Sequence, residues 1–219
     1  MTTLTTRADA LPDAALRLLH GPVGAAGGVV VVDGLPDGRL VSALLEEAST
    51  AYLASDRQEV DVDDGAEGRG GTPARHLYTA GGGPVQDALY GAAWLSDYLS
   101  SVCGVRVRPT GTRGSYSFYV HDGDHLGLHL DIEACDVTLI SVLRDDAGPE
   151  RPSGGLLVHA AHLGLDLHAV RRDPDVGVGV VKAVPGQSVV LLGGLLPHET
   201  VPVEPGGTRI ISALCFVAG

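Results

Sequence analysis

The sequence predicts a mainly β fold with flanking helices (α+β). After Gly104, short apolar runs with period-two alternation are separated by glycine and proline, as in a chain of short strands. The 31 glycines and 13 prolines supply the turns that such a chain needs. Hydrophobic residues make up 44% of the 219 residues, which is enough for one well-buried core. Together these features favour a β-sandwich or β-barrel.

The first 104 residues predict helices and one strand. We expect a short amphipathic helix over residues 9–19 and a buried strand over the β-branched run 29–32. A helix is expected over residues 37–54 with Asp37 as its N-cap, and a second one over residues 85–102.

Residues 55–75 are polar and rich in glycine. They are read here as a loop, either a solvated surface loop or a lid over an active site.

The remaining chain predicts the β body. Seven strands are expected, over residues 115–120, 127–131, 137–143, 154–159, 178–184, 188–193 and 208–216. We therefore expect one domain over residues 1–219, in which residues 1–104 pack on a barrel built by residues 105–219.

Charge and hydropathy narrow the classes of partner and compartment. The formal net charge of -12 disfavours binding to nucleic acid or to anionic membranes. No apolar run approaches the ~20 residues of a membrane span, and the N-terminus lacks the apolar stretch of a signal peptide. Cys103, Cys135 and Cys215 lie far apart and are expected to be buried free thiols. The expected location is cytoplasmic.

A metal site is predicted at His129-Leu130-Asp131. On a strand, residues i and i+2 point to the same face, so this spacing presents an imidazole and a carboxylate to one point. A second histidine would complete the two-histidine, one-carboxylate triad that binds iron(II) and leaves coordination positions open. The spacing alone is a weak signal, and His121 and His125 are competing ligands.

The segment 185–212 strengthens the prediction. It runs from a Pro-Gly turn through an apolar strand to His198, then through a second glycine turn to Arg209. An arginine buried near a metal needs an anion, and its planar guanidinium suits a carboxylate. Arg113 and Arg144 could hold a substrate carboxylate, but solvated surface arginines are the favoured interpretation for both.

The order of these motifs resembles that of the 2-oxoglutarate- and iron(II)-dependent oxygenases, in the branch similar to prolyl 4-hydroxylases. The residues that carry the resemblance are Tyr119, Gly123-Asp124, His129 and Asp131, Gly154-Gly155-Leu156, Pro185-Gly186, His198 and Arg209. The resemblance covers roughly residues 115–216. It implies a double-stranded β-helix (jelly roll), with iron(II), 2-oxoglutarate and O2 as cofactors and co-substrates.

The resemblance also implies roles for individual residues. His129, Asp131 and His198 would bind iron, and Arg209 would pair with the distal carboxylate of 2-oxoglutarate. Tyr119 would hydrogen-bond that carboxylate, with Tyr116 as an alternative, and Ser212 could add a hydroxyl near Arg209.

The implied reaction is hydroxylation of a small molecule, either an amino acid or a specialised metabolite, with decarboxylation of 2-oxoglutarate to succinate. Asp131 favours hydroxylation over halogenation, because halogenating relatives carry a small residue at this position. The alternatives are desaturation, epoxidation or cyclisation with the same cofactors, and a cupin-like metal protein that does not use 2-oxoglutarate. A homodimer is the base-rate expectation.

Overall fold

The computed structural model describes residues 11–61, 68–112 and 114–219. The helices are α1 (Asp13–His20), α2 (Pro22–Ala25), α3 (Gly38–Tyr52), α4 (Pro84–Tyr90), α5 (Ala93–Cys103) and α6 (Leu167–Arg172). The strands are β1 (Val29–Asp33), β2 (Asp56–Val60), β3 (Arg75–Gly81), β4 (Val107–Pro109), β5 (Ser115–Tyr119), β6 (His125–Leu126), β7 (Val137–Asp145), β8 (Leu156–His159), β9 (Val178–Val181), β10 (Gln187–Leu191), β11 (His198–Thr200) and β12 (Arg209–Ala218).

The strands form two antiparallel sheets. The larger has the order β1-β10-β7-β12-β5-β3-β2, with β4 paired to β12 and β6 paired to β3. The smaller has the order β11-β8-β9. The curled larger sheet and the smaller one make a jelly roll, so the predicted fold class is confirmed.

Alternation along the strands divides the apolar residues between two layers. On β12, Ile210, Leu214 and Phe216 belong to the main core, where the larger sheet packs on the helices. Ile211 and Ala213 point to the opposite side and line a cavity between the two sheets. Period-two patterning therefore produces both the core and the wall of the site.

Several predicted elements of the N-terminal part are confirmed. α3 begins after Asp37, whose carboxylate accepts hydrogen bonds from the backbone amides of Arg39 and Leu40 at 3.0 and 2.9 Å. β1 forms at the apolar run, but it is a half-exposed edge strand of the larger sheet and not the buried strand that we expected. The N-terminal part also supplies β1, β2 and β3 to the larger sheet, where we expected it only to pack on a barrel.

Three other predictions need correction. The helix expected over residues 85–102 is two helices, because the extended backbone of Ala92 (ψ 121°) interrupts helical geometry after α4. The strand expected over residues 127–131 is reduced to a single bridge between His129 and His198. Gly127 hydrogen-bonds to Ala74 instead, so the segment does not pair along one neighbouring strand.

The third correction is to the loop expected over residues 55–75, which contains the strand β2, paired to β3. Residues 62–67, the central part of that loop, lie outside the described residues. The alternative prediction, a lid over an active site, falls on these residues.

The free thiols expected at Cys135 and Cys215 are a further correction. These two cysteines form a disulfide, with Cα atoms 4.9 Å apart, while Cys103 is free and buried. Sequence separation concealed the pair, because Cys215 reaches Cys135 only through the placement of β12 beside the turn that precedes β7.

No helix among the described residues is long and apolar enough to cross a membrane.

Candidate functional site

The candidate site lies in a cavity of about 270 Å³ between the two sheets. One wall is the inward face of β5, β7 and β12, and the facing wall comes from β8 and β11. The cavity is lined by His129, Asp131, His198, Arg209 and Tyr119. Candidate residues from three separate segments of the sequence therefore meet in one space.

His129 and His198 are held as a cross-strand pair. The backbone amide of each donates to the carbonyl of the other, at 2.9 and 3.1 Å, and their ring centroids lie 4.1 Å apart. Each Nδ1 hydrogen-bonds to the carbonyl oxygen two residues earlier, Gly127 for His129 and Leu196 for His198, both at 2.8 Å. A carbonyl can only accept, so each Nδ1 carries a proton, and each Nε2 is the ring nitrogen that remains for other partners.

Asp131 completes the cluster. Its Oδ1 lies 3.5 Å from Nε2 of His129 and 3.8 Å from Nε2 of His198, and one ligand atom from each residue lies within 4.8 Å of the others. A metal ion bonded at about 2.1 Å to three adjacent ligands needs donor atoms about 3 Å apart, so small side-chain movements suffice. Two imidazole nitrogens and one carboxylate suit a divalent first-row transition metal.

Electrostatics prepare these groups for a cation. Burial and the neighbouring His129 lower the pKa of His198 to about 4, so its imidazole is neutral at neutral pH. Burial by itself raises the pKa of Asp131, but the hydrogen bond with His129 and the proximity of both histidines outweigh it, and the net pKa is lowered. Neutral imidazoles and an ionised carboxylate are the protonation states that bind a metal ion.

Two consecutive glycines make room for the Asp131 turn. A Cβ atom at Gly193 would overlap Oδ2 of Asp131, and one at Gly194 would lie 2.5 Å from the guanidinium carbon of Arg69. Arg69 donates to the carbonyl oxygens of Asp131 and Ile132 and pairs with Asp136 at 2.9 Å. The arginine and the glycines thus hold the backbone that carries the carboxylate.

Arg209 and Tyr119 lie opposite each other across β12 and β5. Arg209 is 5% exposed and faces the cavity, and the Tyr119 hydroxyl lies 3.4 Å from that of Thr200. Gly154, in the Gly-Gly motif, has a φ of +67°, and a Cβ there would lie 2.6 Å from Cδ of Arg209. Glycine is needed at this position because the backbone crosses closely over the arginine.

Two residues expected near Arg209 point away from the cavity. Ser212 is on the opposite face of β12 and accepts a hydrogen bond from Nε2 of Gln86 at 2.7 Å. Tyr116 is on the opposite face of β5 and donates to Glu47 at 2.6 Å. Strand alternation explains both, since Ser212 and Tyr116 each lie an odd number of residues from the inward-facing Arg209 and Tyr119.

The competing histidines are outside the cluster. His121 lies 3.5 Å from the hydroxyl of Tyr78, and His125 stacks on His76. His159 is buried and does not line the cavity, and its Nε2 lies 3.3 Å from Glu199.

Sequence reasoning missed the partners of Arg209. Arg209 contacts Asp145, and Asp145 also pairs with Lys182 at 2.6 Å. Arg144, considered for substrate binding, is exposed and pairs with Asp146 at 2.8 Å. Arg113, the other such candidate, lies outside the described residues.

Comparison with known proteins establishes the fold. No family model matches the sequence, and no curated protein matches it. A prolyl-4-hydroxylase from Pseudomonas putida is similar with a TM-score of 0.60 and 19% identity, over 94% of this chain and 100% of that one. The epimerase SnoN from nogalamycin biosynthesis has a TM-score of 0.64 and 15% identity, over 96% of this chain and 81% of that one.

A third similar structure is EctD from S. alaskensis, solved with 2-oxoglutarate and 5-hydroxyectoine. Its TM-score is 0.60 at 15% identity, over 100% of this chain and 79% of that one. The structural neighbours thus include prolyl hydroxylases and other 2-oxoglutarate oxygenases, the group that the sequence motifs resemble.

Proposed function

We propose that this protein is an iron(II)- and 2-oxoglutarate-dependent dioxygenase that hydroxylates a small molecule. One observation carries the proposal: the donor atoms of His129, Asp131 and His198 converge in the same cavity that Arg209 enters. A metal triad and a buried cation facing one space match a co-substrate that chelates a metal at one end and carries a carboxylate at the other. Structural neighbours solved with Fe and 2-oxoglutarate agree with this.

In this proposal the chain supplies binding and orientation. His129, Asp131 and His198 hold iron(II), which together with 2-oxoglutarate and O2 supplies the oxidising power for hydroxylation. Arg209 binds the distal carboxylate of 2-oxoglutarate, with the Tyr119 hydroxyl as a second donor. Apolar residues around the metal cluster, including Ile140 and Ile211, exclude water from the cavity.

The lining of the cavity supports a small, uncharged reacting group. Among the described lining residues, Arg209 is the one Lys or Arg side chain, and the proposal assigns it to 2-oxoglutarate. Ser115, Ser117 and Ala213 of the lining are small and carry no charge. The part of the substrate that enters should therefore be neutral. This favours a specialised metabolite over a free amino acid that enters with its charged end.

Cytoplasmic location and a homodimer stay predictions.

A second reaction type is also open to this fold. SnoN is an epimerase, and its structure has been solved with Fe3+, alpha ketoglutarate and nogalamycin RO. The mass of the product separates these reaction types. Hydroxylation adds one oxygen atom, desaturation or cyclisation removes two hydrogen atoms, and epimerisation leaves the mass unchanged.

The test is anaerobic reconstitution with iron(II) and 2-oxoglutarate. We expect the visible charge-transfer band of the chelate in wild type and in the control His168→Ala, whose side chain is exposed. The band should be absent in His198→Ala. If iron binds to wild type and no band forms, 2-oxoglutarate does not meet the metal, and a cupin-like metal protein becomes the better reading.

A further inference from the structure

Three ionisable side chains meet beside the cavity. One oxygen of Asp145, Oδ2, contacts both Nη1 of Arg209 and Nζ of Lys182, the latter at 2.6 Å. The side chains are 1%, 6% and 9% exposed for Asp145, Arg209 and Lys182. Nη1 of Arg209 also donates to the carbonyl oxygen of Ala183 at 3.2 Å, so the segment carrying the lysine encloses the arginine from one side.

An irregularity in β7 aims Asp145 at this cluster. On β7, Thr138, Ile140 and Val142 point inward, and strict alternation would next place Arg144 inward. The register between β12 and β7 shifts between Ile210 and Ile211, so that Ile211 pairs with Val142 but Arg209 pairs with Asp145. A bulge of this kind reverses the alternation, so Asp145 is buried beside Arg209 and Arg144 is exposed.

The cluster holds two cations and one anion. The charge of Glu204 also acts to raise the pKa of Lys182. The Glu204 side chain is 39% exposed, however, and it contacts Arg151. Burying an uncompensated charge is unfavourable unless an opposite charge is brought to it. The guanidinium of Arg209 makes its hydrogen bonds to Asp145 and Ala183 through a single nitrogen, Nη1. The site can thus take an anion from the cavity.

We propose that Asp145 and Lys182 are positioning residues for the co-substrate carboxylate. Asp145 fixes the Arg209 guanidinium against the cavity wall, and Lys182 offsets the charge of Asp145, so the cluster keeps one positive charge for one carboxylate. This proposal rests on the proposed function. Without Lys182, the only lysine of the chain, Asp145 would neutralise Arg209 and little attraction for an anion would remain.

The charge count makes a prediction that packing alone does not. Lys182→Met leaves one cation and one anion, and should weaken 2-oxoglutarate binding on the order of tenfold. Asp145→Asn together with Lys182→Met restores a single positive charge on Arg209, and should recover most of the lost affinity. Lys182→Arg keeps the charge and should stay within about threefold of wild type.

The experiment measures 2-oxoglutarate affinity by titrating the charge-transfer band of the anaerobic iron(II) protein. A second titration uses 2-oxobutyrate, which chelates iron but lacks the distal carboxylate. Lys182→Met should not change the affinity for 2-oxobutyrate, because the missing carboxylate is the group that the cluster binds. Thermal unfolding of each variant verifies that it is folded.

The outcomes separate this proposal from the function on which it rests. If wild type gives no band with 2-oxoglutarate, the oxygenase function fails, and this proposal fails with it. If wild type binds and folded Lys182→Met binds 2-oxoglutarate equally well, the function stands and the charge-balancing role is wrong. The same conclusion follows if the double variant binds no better than Lys182→Met, or if 2-oxobutyrate binding falls in parallel.

Discussion

At the scale of single residues, Asp131 shows how the site is prepared. Its Oδ1 faces the two histidine Nε2 atoms, while its Oδ2 accepts a hydrogen bond from the hydroxyl of Thr138. The hydroxyl occupies one oxygen and thereby leaves the other for a metal ion. Gly193 has to be a glycine because any side chain there would displace the carboxylate. Partners of this kind, which orient a ligand without binding the metal, tune its affinity.

Replacing Thr138 should therefore weaken metal binding without unfolding the protein. We expect Thr138→Val to lower iron(II) affinity by about 10- to 100-fold, because the carboxylate loses the donor that fixes its rotation. Thr138→Ser keeps the hydroxyl and is the matched control, expected to stay near wild type. Equilibrium metal titration measures both. Equal affinity of the valine and serine variants would mean that the hydrogen bond does not orient Asp131.

At the scale of elements, helix α4 is tied to the rest of the fold by a carboxylate from another helix. Glu47 on α3 accepts hydrogen bonds from the backbone amides of Gly83, Val85 and Gln86, at 2.7 to 3.2 Å, and from the Tyr116 hydroxyl. A negative charge at a helix N-terminus also interacts favourably with the helix dipole. This contact links α3, α4 and β5, so it positions the sheet whose inward face carries the site.

Glu47→Gln should lower the free energy of unfolding by about 1–2 kcal/mol at neutral pH, since the amide accepts these bonds less strongly than the carboxylate. Burial alone raises the pKa of Glu47, but its hydrogen bonds outweigh burial and lower the folded-state pKa below the ordinary 4.5. A lowered folded-state pKa stabilises the fold above pH 4.5 and loses that effect as pH falls through the folded value.

Denaturant unfolding at several pH values tests this. The difference between wild type and Glu47→Gln should be largest at neutral pH and should shrink in acid. Glu46→Gln on the exposed face of α3 is the matched control, with little expected effect. A difference that is the same at pH 7 and pH 3 would show that ionised Glu47 does not contribute through its charge.

At the scale of the whole molecule, the disulfide joins parts of the chain that are distant in sequence. Cys135 follows the Asp131 turn, and Cys215 lies near the end of β12, with a separation of 80 residues. Both line the cavity, so the bond forms part of the wall of the site. Cross-linking a long loop stabilises a fold mainly by restricting the unfolded chain. Such bonds are unusual in reducing compartments, and the cytoplasmic location stays a prediction.

Counting reactive thiols tests whether Cys135 and Cys215 form the disulfide. Burial raises the pKa of Cys103 to about 11, so its thiol should not react in the native protein. We expect no reactive thiol in the folded protein, one after unfolding without reductant, and three after unfolding with reductant. Three thiols without reductant would show that Cys135 and Cys215 are reduced, as their distance in the sequence predicts.

The sequence predicted the parts of the site that depend on local geometry. His129 and Asp131 are two residues apart, and Asp37 is adjacent to the helix that it caps, so nearest-neighbour rules suffice for both. The strand patterning and the glycine turns likewise predicted a mainly β fold. The order of motifs from Tyr119 to Arg209 added the resemblance that identified which histidine and which arginine to combine.

Only the tertiary structure decided the contacts that depend on register and strand placement. The bulge in β7 places Asp145, and not Arg144, beside Arg209. Ser212 lies on the face of β12 that points away from the cavity. The pairing of Cys135 with Cys215 depends on where β12 ends. The physical reason is the same in each case: a side chain's face follows from local alternation, but its partner follows from which strand lies opposite and in what register.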